Sequence, residues 1–510
     1  MGKTVTQVSR VAEARISKWS RYPTIFEINA WAWISGLREK YGKRIDLASI
    51  PAAEWDSLAS HGFNAIWLMG VWERSPRGIA ISNQNQNLLA DFKRALPDYR
   101  PEDNVGSPYC IRNYSVDPNL GGPAGLAAAR RELAERGLKL VLDFVPNHVA
   151  PDHPWVNEHP EYFICGTSED LAQDPVSFTR IGNTVFACGR DPYFPAWQDV
   201  LQLNAFHPAL RAAALATIMD IARQCDGIRC DMAMLLLNEV FQRTWGSRAG
   251  HQPTTDYWTD VISASKKANP NFLFIAEAYW DLEWQLQEQG FDFCYDKKLY
   301  DRLEHSDAEK VRLHLCADHA YQDKLIRFLE NHDEPRASAT FQPEKGRVAA
   351  VIAVTLPGAR LLHEGQFEGH KVRLPVFLAR RPKESSDAEL QVFYHKLLAA
   401  VDNPVFREGE WKLCERNGWP GNGSYQNILA WTWTRYEGRY LIVVNLSDGT
   451  SQARVKVDWN DVAERTWCLM DLPTGAAYDR DGNEMYSSGL YVELGPWRYH
   501  FFHCHPSNSK

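Results

Sequence analysis

Short apolar runs alternate with amphipathic segments from residue 23 to about residue 400. The apolar runs have the composition of β-strands, and the segments between them show the helical period of apolar positions. Strands that alternate with helices in this way are typical of a parallel sheet. The pattern predicts eight strands, the number that closes a barrel, at residues 24–31, 64–72, 138–145, 227–233, 272–279, 291–296, 325–331 and 359–365.

Two of the intervening segments predict helices clearly. Residues 125–137, GLAAARRELAERG, form an amphipathic run that stops at Gly137, a residue that commonly ends helices. Residues 207–225 form a second run of this kind. These helices support a (β/α)8 barrel rather than an all-β fold.

The pattern changes after about residue 403. Apolar and polar residues then alternate in strand-like runs separated by turn residues, at 427–449, 454–459, 466–472, 489–495 and 497–504. This indicates an all-β module, which we predict to be an antiparallel sandwich. We therefore divide the chain into an N-terminal extension (1–20), a barrel (21–402) and a C-terminal β-sandwich (403–510). The chain of 510 residues is also too long to fold around a single compact core.

Two polar insertions interrupt the barrel pattern. Residues 73–113 follow the second strand, and residues 149–200 follow the third and are long enough for a small subdomain. Both insertions would lie on loops at the carboxyl end of the barrel strands, and loops there usually determine which substrate is bound. Aromatic residues in the second insertion either line sugar subsites or pack locally, and they are Trp155, Tyr162, Tyr193, Phe194 and Trp197.

The net charge and the cysteine content limit which binding partners and which cellular compartment we expect. The net charge is −8, and no run of five or more basic residues is present, so we expect neither nucleic acid nor an anionic membrane as partner. No stretch is long and apolar enough for a membrane span, and the N-terminus lacks the apolar core of a secretory signal. The ten cysteines form no C-x-x-C pair, so we expect free thiols, a cytoplasmic location and no zinc site. The oligomeric state is not predicted.

Four of the predicted strands end in charged or imidazole side chains. Their sequences are LVLDFVPNH, DGIRCDMA, FLFIAEAY and FLENHDEPR. This places Asp231, Glu277 and Asp333 at the carboxyl ends of three strands, which in a parallel barrel form the active face. A cluster of three acids there indicates carboxylate chemistry, and sugar hydrolysis or transfer is the leading hypothesis.

Two of these acids are expected to have different pKa values. Arg229 and Asp231 share one face of their strand, so the guanidinium should lower the pKa of Asp231. Glu277 lies among apolar residues, which should raise its pKa and suit a proton donor. An ionised and a protonated carboxyl that face each other form the pair of a retaining glycosidase. Asp333, with His332 beside it, is positioned to bind substrate hydroxyls.

Two other classes of protein remain as alternatives. In a metal-assisted barrel enzyme, Asp143, Asp231, Glu277 and Asp333 would ligate Mg²⁺. Arg229 argues against this alternative, since a cation on the same strand face would repel the metal. A non-catalytic sugar-binding subunit is the other alternative, although the three acids are intact.

In combination, the four strand endings resemble the signature motifs of the α-amylase superfamily, glycoside hydrolase family 13. The resemblance extends over nearly the whole chain, and DVLQLN at 199–204 is similar to a further signature. It implies retaining cleavage of an α-glucosidic bond in an α-glucan, malto-oligosaccharide or small α-glucoside, through a covalent glycosyl-enzyme. It also implies that Asp231 is the nucleophile, Glu277 the general acid/base and Asp333 the transition-state stabiliser. A glucosyl or maltosyl transferase with the same residues is the alternative.

The resemblance also assigns supporting roles. Arg229 would steer the nucleophile, and His148 and His332 would bind hydroxyls of the sugar. Tyr109 is our candidate for stacking under that sugar, with a packing role as the alternative. Asp143 shares a strand face with Asn147 and would support the site.

The chain departs from the family pattern after the nucleophile. Many amylases have Lys and His three and four residues later, where this chain has Met234 and Leu235. Asn147 matches a calcium ligand of the family, but the missing His argues against calcium, so Asn147 either binds calcium or holds the strand-3 loop. We expect no required cofactor. Arg336 either bridges to a carboxylate of the site or caps its loop.

Overall fold

The computed structural model describes residues 18–507, so most of the predicted N-terminal extension (1–20) lies outside the described residues. Its centre is a closed barrel of eight strands. The strands are β1 (Thr24–Asn29), β2 (Ala65–Met69), β3 (Lys139–Phe144), β4 (Gly227–Cys230), β5 (Leu273–Ala276), β6 (Phe293–Tyr295), β7 (Leu325–Arg327) and β8 (Ala359–His363).

The barrel strands follow one another in chain order. Each pairs in parallel with the next, and β8 pairs with β1 to close the ring. Every residue of β1 and β2 is buried, because the interior of the barrel covers one face and helices cover the other. Each predicted run contains one of these strands, which confirms the (β/α)8 barrel.

Helices follow the strands around the barrel. Both helices predicted above are present. The first spans Gly122–Glu135 and ends just before Gly137, whose φ of 75° favours glycine. The second begins with a proline in its first turn. The main helices of the layer are Ala30–Tyr41, Ala52–Ala59, Gly122–Glu135, Pro208–Ala222, Asn238–Trp245, Tyr257–Ala268, Lys297–His305, Ala308–Leu315, Pro343–Thr355 and Ala388–Val401.

Two loops at the carboxyl end of the barrel carry additional structure. After β2, strand Trp72–Arg74 pairs with Ile111–Val116, and two short helices lie between them. After β3, a small five-stranded antiparallel sheet forms the predicted subdomain. Its strands are His148–Val149, Cys165–Gly166, Phe178–Ile181, Thr184–Gly189 and Trp197–Gln202.

The C-terminal module contains a six-stranded and a three-stranded antiparallel sheet, with an apolar core between them, which confirms the sandwich. The outer face of the larger sheet packs against the barrel, where Trp433 Nε1 donates a hydrogen bond to Thr355 O at 2.7 Å. The predicted start at residue 403 falls between the helix that ends at Val401 and the strand that begins at Glu410. Within residues 18–507, no helix is long and apolar enough to cross a bilayer. The strands are Glu410–Leu413, Arg416–Asn417, Ile428–Arg435, Gly438–Asn445, Ser451–Val455, Thr466–Asp471, Ala477–Asp481, Leu490–Leu494 and Tyr499–Pro506.

Candidate active site

The three predicted acids lie together at the carboxyl end of the barrel. Asp231 directly follows β4 and Glu277 directly follows β5, and these two strands are neighbours. Both side chains are almost fully buried. Asp333 lies in the loop after β7, and 42% of its side chain is exposed. The site therefore has two enclosed carboxyl groups and a third that reaches solvent.

Arg229 joins the enclosed carboxyl groups. Its Nη1 lies 2.8 Å from Asp231 Oδ1 and 3.8 Å from Asp143 Oδ1, and its Nη2 lies 2.7 Å from Glu277 Oε2. The guanidinium thus occupies the space among the carboxylates where a magnesium ion would need to sit. No group of three or more His, Cys, Asp or Glu side chains in the described part of the chain is arranged to hold a metal ion.

Two hydrogen bonds hold the Glu277 carboxyl group in place. Its Oε2 accepts from the Met232 N–H at 2.6 Å, and its Oε1 accepts from the Tyr279 O–H at 3.0 Å. Met232 has a φ of 43°, so the backbone turns into the left-handed region directly after the nucleophile candidate. Backbone strain of this kind is common at functional sites.

Burial and neighbouring charges shift the pKa values of all three acids. Burial, with the charges of Asp231 and Asp333, raises the pKa of Glu277 to about 7 against the opposing effect of Arg229. Burial also raises the pKa of Asp231 to about 6, so our prediction of a lowered value is wrong: desolvation outweighs Arg229. For Asp333, partial loss of hydration acts to raise the pKa, but the charge and hydrogen bond of His332 and the charge of Arg229 outweigh it and lower the pKa to about 2.

Tyr109 and His332 lie beside these acids. The His332 Nε2 lies 2.6 Å from Tyr109 Oη and 2.8 Å from Asp333 Oδ2, and its Nδ1 contacts the carboxylate of Glu27. The Arg229 guanidinium lies 5.1 Å from the centre of the Tyr109 ring, within cation–π range. Tyr109 is half-buried, so its ring has both protein contacts and an open part.

His148 and Asn147 lie where β3 leads into the subdomain. His148 is buried with its ring 5.3 Å from that of Trp197, and burial lowers its pKa to about 4, so the imidazole is neutral. The Asn147 side chain exchanges hydrogen bonds with Gln202. Gln202 Nε2 donates to Asn147 Oδ1 at 2.9 Å, and Asn147 Nδ2 donates to Gln202 Oε1 at 3.3 Å.

Asp143 and Arg336 differ in their relation to the site. Asp143 is buried against Arg229, its Oδ2 accepts from the Gly70 N–H at 3.2 Å, and burial raises its pKa to about 6. Arg336 turns away from the three acids. Its Nη1 lies 3.0 Å from Glu330 Oε1, and its Nη2 donates to the backbone oxygen of Glu364. Arg336 therefore connects two loops of the barrel.

A family model for the alpha amylase catalytic domain matches residues 52–425. The chain belongs to the alpha-amylase family. Alpha-amylase MalA of Haloarcula japonica is 25% identical over 400 residues, covering 76% of this chain and 51% of that protein. The alpha-1,4-glucan:maltose-1-phosphate maltosyltransferase of Rhodospirillum rubrum is 31% identical over 234 residues, covering 45% of this chain and 28% of that protein.

Solved structures share the fold of this family member. The maltogenic alpha-amylase AmyB of Thermotoga neapolitana superposes with a TM-score of 0.67 at 19% identity, covering 96% of this chain and 99% of that one. The chain spans about half the length of the alpha-amylases of Haloarcula japonica and Dictyoglomus thermophilum that it matches in sequence.

The departures from the family pattern have a structural explanation in this family member. Met234 and Leu235 are buried in the single helical turn Ala233–Leu236 and pack into the barrel core. The Asn147 side-chain oxygen faces the N–H of Gln202, an amide that also donates to Leu203 O at 3.0 Å. The Asn147 side-chain oxygen, a ligand that calcium could use, therefore already accepts a hydrogen bond from an amide N–H.

Three residues of the site were not found from the sequence. Glu27 is a buried acid in the apolar strand β1, and a charge inside such a run was a usable signal. Tyr279 follows Glu277 by two residues, and both lie in the predicted strand run 272–279, where alternation would put them on one face. Gln202 lies in the DVLQLN segment noted above, but its role was not predicted, because its partner Asn147 lies 55 residues away.

Proposed function

We propose that the protein is a retaining enzyme that cleaves an α-glucosidic bond in an α-glucan or malto-oligosaccharide. Asp231 attacks the anomeric carbon while Glu277 gives its proton to the departing oxygen, and a β-glycosyl enzyme forms. Glu277 then takes a proton from water, and the resulting hydroxide releases the sugar with its original α configuration. Asp333 and His332 hold hydroxyls of the sugar while positive charge develops on its ring.

One observation carries this proposal. Asp231 and Glu277 contact the two terminal nitrogens of a single guanidinium, that of Arg229, at 2.8 and 2.7 Å. A shared planar cation keeps two carboxyl groups close together, and a covalent intermediate needs them about 5–5.5 Å apart. The raised pKa of Glu277 suits the proton donor.

A transferase is the second candidate. Several relatives in sequence are named alpha-1,4-glucan:maltose-1-phosphate maltosyltransferase, including one that is 31% identical over 234 residues. In a transferase, a sugar hydroxyl replaces water as the group from which Glu277 takes its proton. Buried Met234 and Leu235 leave this choice open, since neither side chain reaches out of the core.

Product analysis separates the two activities. The purified protein is incubated with maltose, maltoheptaose, trehalose, sucrose and maltose-1-phosphate, and products are identified by mass spectrometry with and without an acceptor sugar. Shorter free sugars that appear first as the α anomer by proton NMR support the retaining hydrolase. Longer or mixed sugars support the transferase. A β anomer as the first product contradicts the retaining mechanism.

Matched variants test the assignment of the acids. Asp231→Asn and Glu277→Gln should each abolish turnover without loss of folding. Asp226→Asn is the control, because Asp226 lies at the opposite end of β4, where it pairs with Arg130 at 2.7 Å and has no access to the substrate. Activity close to that of the unmodified protein in either site variant would contradict the catalytic role assigned to that acid.

We also propose a reducing, cytoplasmic location. All ten cysteines are free thiols, and most of them are buried. Thiols that stay unpaired are typical of proteins in reducing compartments.

A further inference from the structure

Glu27 is a carboxylic acid in the middle of an apolar barrel strand. Its side chain is completely buried, with Trp67 beside it on β2 and His363 beside it on β8. One carboxylate oxygen contacts His332 Nδ1, and the other has no hydrogen-bond partner. A buried carboxylate is costly unless it is paired, and the imidazole of His332 is the partner of this one.

The other ring nitrogen of His332 faces the proposed sugar site. It lies 2.8 Å from Asp333 Oδ2 and 2.6 Å from Tyr109 Oη. A carboxylate oxygen can only accept a hydrogen bond, so an imidazole between two carboxylates satisfies both contacts only when both nitrogens carry protons. Burial lowers the pKa of His332, but Asp333 and Glu27 outweigh it and raise the pKa well above its ordinary value.

Other charged groups around this histidine do not replace Glu27. Asp143 on β3 is shared with Arg229 on β4. On β8, burial lowers the pKa of His363 to about 3, so that ring is neutral. Arg373 reaches only the backbone oxygen of Asp333, at 3.4 Å. Glu27 is therefore the carboxylate that contacts the Nδ1 side of His332.

We propose that Glu27 is a positioning residue that holds His332 as a doubly protonated imidazolium, and through it orients Asp333 and Tyr109 around the sugar. The effect of Glu27 on catalysis rests on the proposed function. Glu27 touches no substrate. The charged ring keeps Asp333 ionised and keeps an N–H donor aimed at the sugar site, where positive charge develops on the sugar in the transition state.

The decisive measurement is the protonation of His332 in the intact protein. With ¹⁵N-labelled histidine, and His332→Gln to assign its signal, both ring nitrogens of the unmodified protein should remain protonated from pH 5.5 to 8.5. In Glu27→Gln the ring should lose a proton within this range. This readout needs no substrate, so it remains valid if the protein cleaves no α-glucoside. A neutral His332 in the unmodified protein would overturn the proposal.

Kinetics provide the second readout. Glu27→Gln should lower kcat far more than it raises KM, by about 100-fold at pH 8 and by less at pH 5.5, where the ring regains its proton. Glu283→Gln is the matched control, since Glu283 is also a buried acid but lies on the helix Glu283–Glu288 away from His332. Glu27→Asp is the second variant, because it keeps the carboxylate: it should keep the ring charged and lose far less kcat than Glu27→Gln. A neutral ring in folded Glu27→Asp would overturn the proposal. If Glu27→Gln lowers kcat by the same factor at all pH values while His332 stays charged, Glu27 has only a structural role.

Discussion

Gln202 and Asn147 exchange side-chain hydrogen bonds at the point where the inserted subdomain joins the barrel. Gln202 also donates to the Asn147 backbone oxygen at 3.0 Å, and its side chain is completely buried. The amide pair therefore satisfies the polar groups that connect the strand-3 loop to the last strand of the subdomain. This contact supports the alternative in which Asn147 holds the loop without a cation.

We accordingly expect activity that does not depend on calcium. Dialysis against EDTA should leave kcat unchanged, and added calcium should not raise the melting temperature. Gln202→Ala should lower the free energy of unfolding by about 1–3 kcal/mol, because it leaves buried polar groups of Asn147 without partners. Chemical denaturation measures this change. Activity that is lost in EDTA and restored by calcium would contradict the prediction.

Replacement of Arg229 tests whether its guanidinium balances the charge of the buried carboxyl groups that it contacts. Arg229→Met leaves the buried carboxyl groups of Asp231, Glu277 and Asp143 without their counter-charge, and we expect a loss of about 3–5 kcal/mol in stability at pH 8. The pKa values of these acids, already raised, should rise further. The folded state then binds more protons than the unfolded state, so stability falls as the pH rises.

The variant should therefore be relatively more stable at pH 5 than at pH 8. Urea denaturation at both values measures the difference, and Arg130→Met is the control, since it removes a partly exposed ion pair with Asp226 at the other end of the barrel. Equal losses for Arg229→Met at the two pH values would show that the guanidinium does not balance these carboxyl groups.

The pH dependence of the rate follows from the same two acids. Below about pH 6 Asp231 gains a proton and cannot attack, and above about pH 7 Glu277 loses the proton that it must donate. We expect kcat/KM to be bell-shaped with a maximum between these values, and the two limbs to belong to the coupled pair. Initial rates from pH 4 to 9 measure the profile. A rate that still rises above pH 8 is incompatible with Glu277 as the acid.

Strand periodicity explains why the core of the site was predictable. Residues two apart on a strand share a face, so Arg229 and Asp231 had to meet, and the parallel order of the strands brought Glu277 beside them. The pKa of Asp231 was not predictable in this way. It depends on complete burial among several carboxyl groups, and only the assembled barrel shows how far desolvation exceeds the effect of one cation.

Contacts between distant segments were the part that the sequence did not predict. Glu27 and His332 are 305 residues apart, and only barrel closure between β8 and β1 brings them into contact. The pairing of Gln202 with Asn147 depends in turn on the strand Trp197–Gln202, which pairs with the short strand His148–Val149 that follows β3. Local patterns carry no information about such partners, although a buried acid in an apolar strand indicates that some partner exists.

The variant Tyr279→Phe tests whether the Tyr279 hydroxyl lowers the pKa of Glu277, the proposed proton donor. The Tyr279 hydroxyl donates to Glu277 Oε1 at 3.0 Å, and a donor stabilises the ionised carboxylate. Without this hydroxyl the pKa of Glu277 should rise from about 7, and the alkaline limb of the rate profile should move upward by about one pH unit. Tyr300→Phe is the matched control, since Tyr300 is a buried tyrosine outside the site, with its ring stacked on that of Phe328. The control should leave the limb in place. An alkaline limb that stays at the same pH or moves downward in Tyr279→Phe would mean that this hydroxyl does not stabilise the charged form of Glu277.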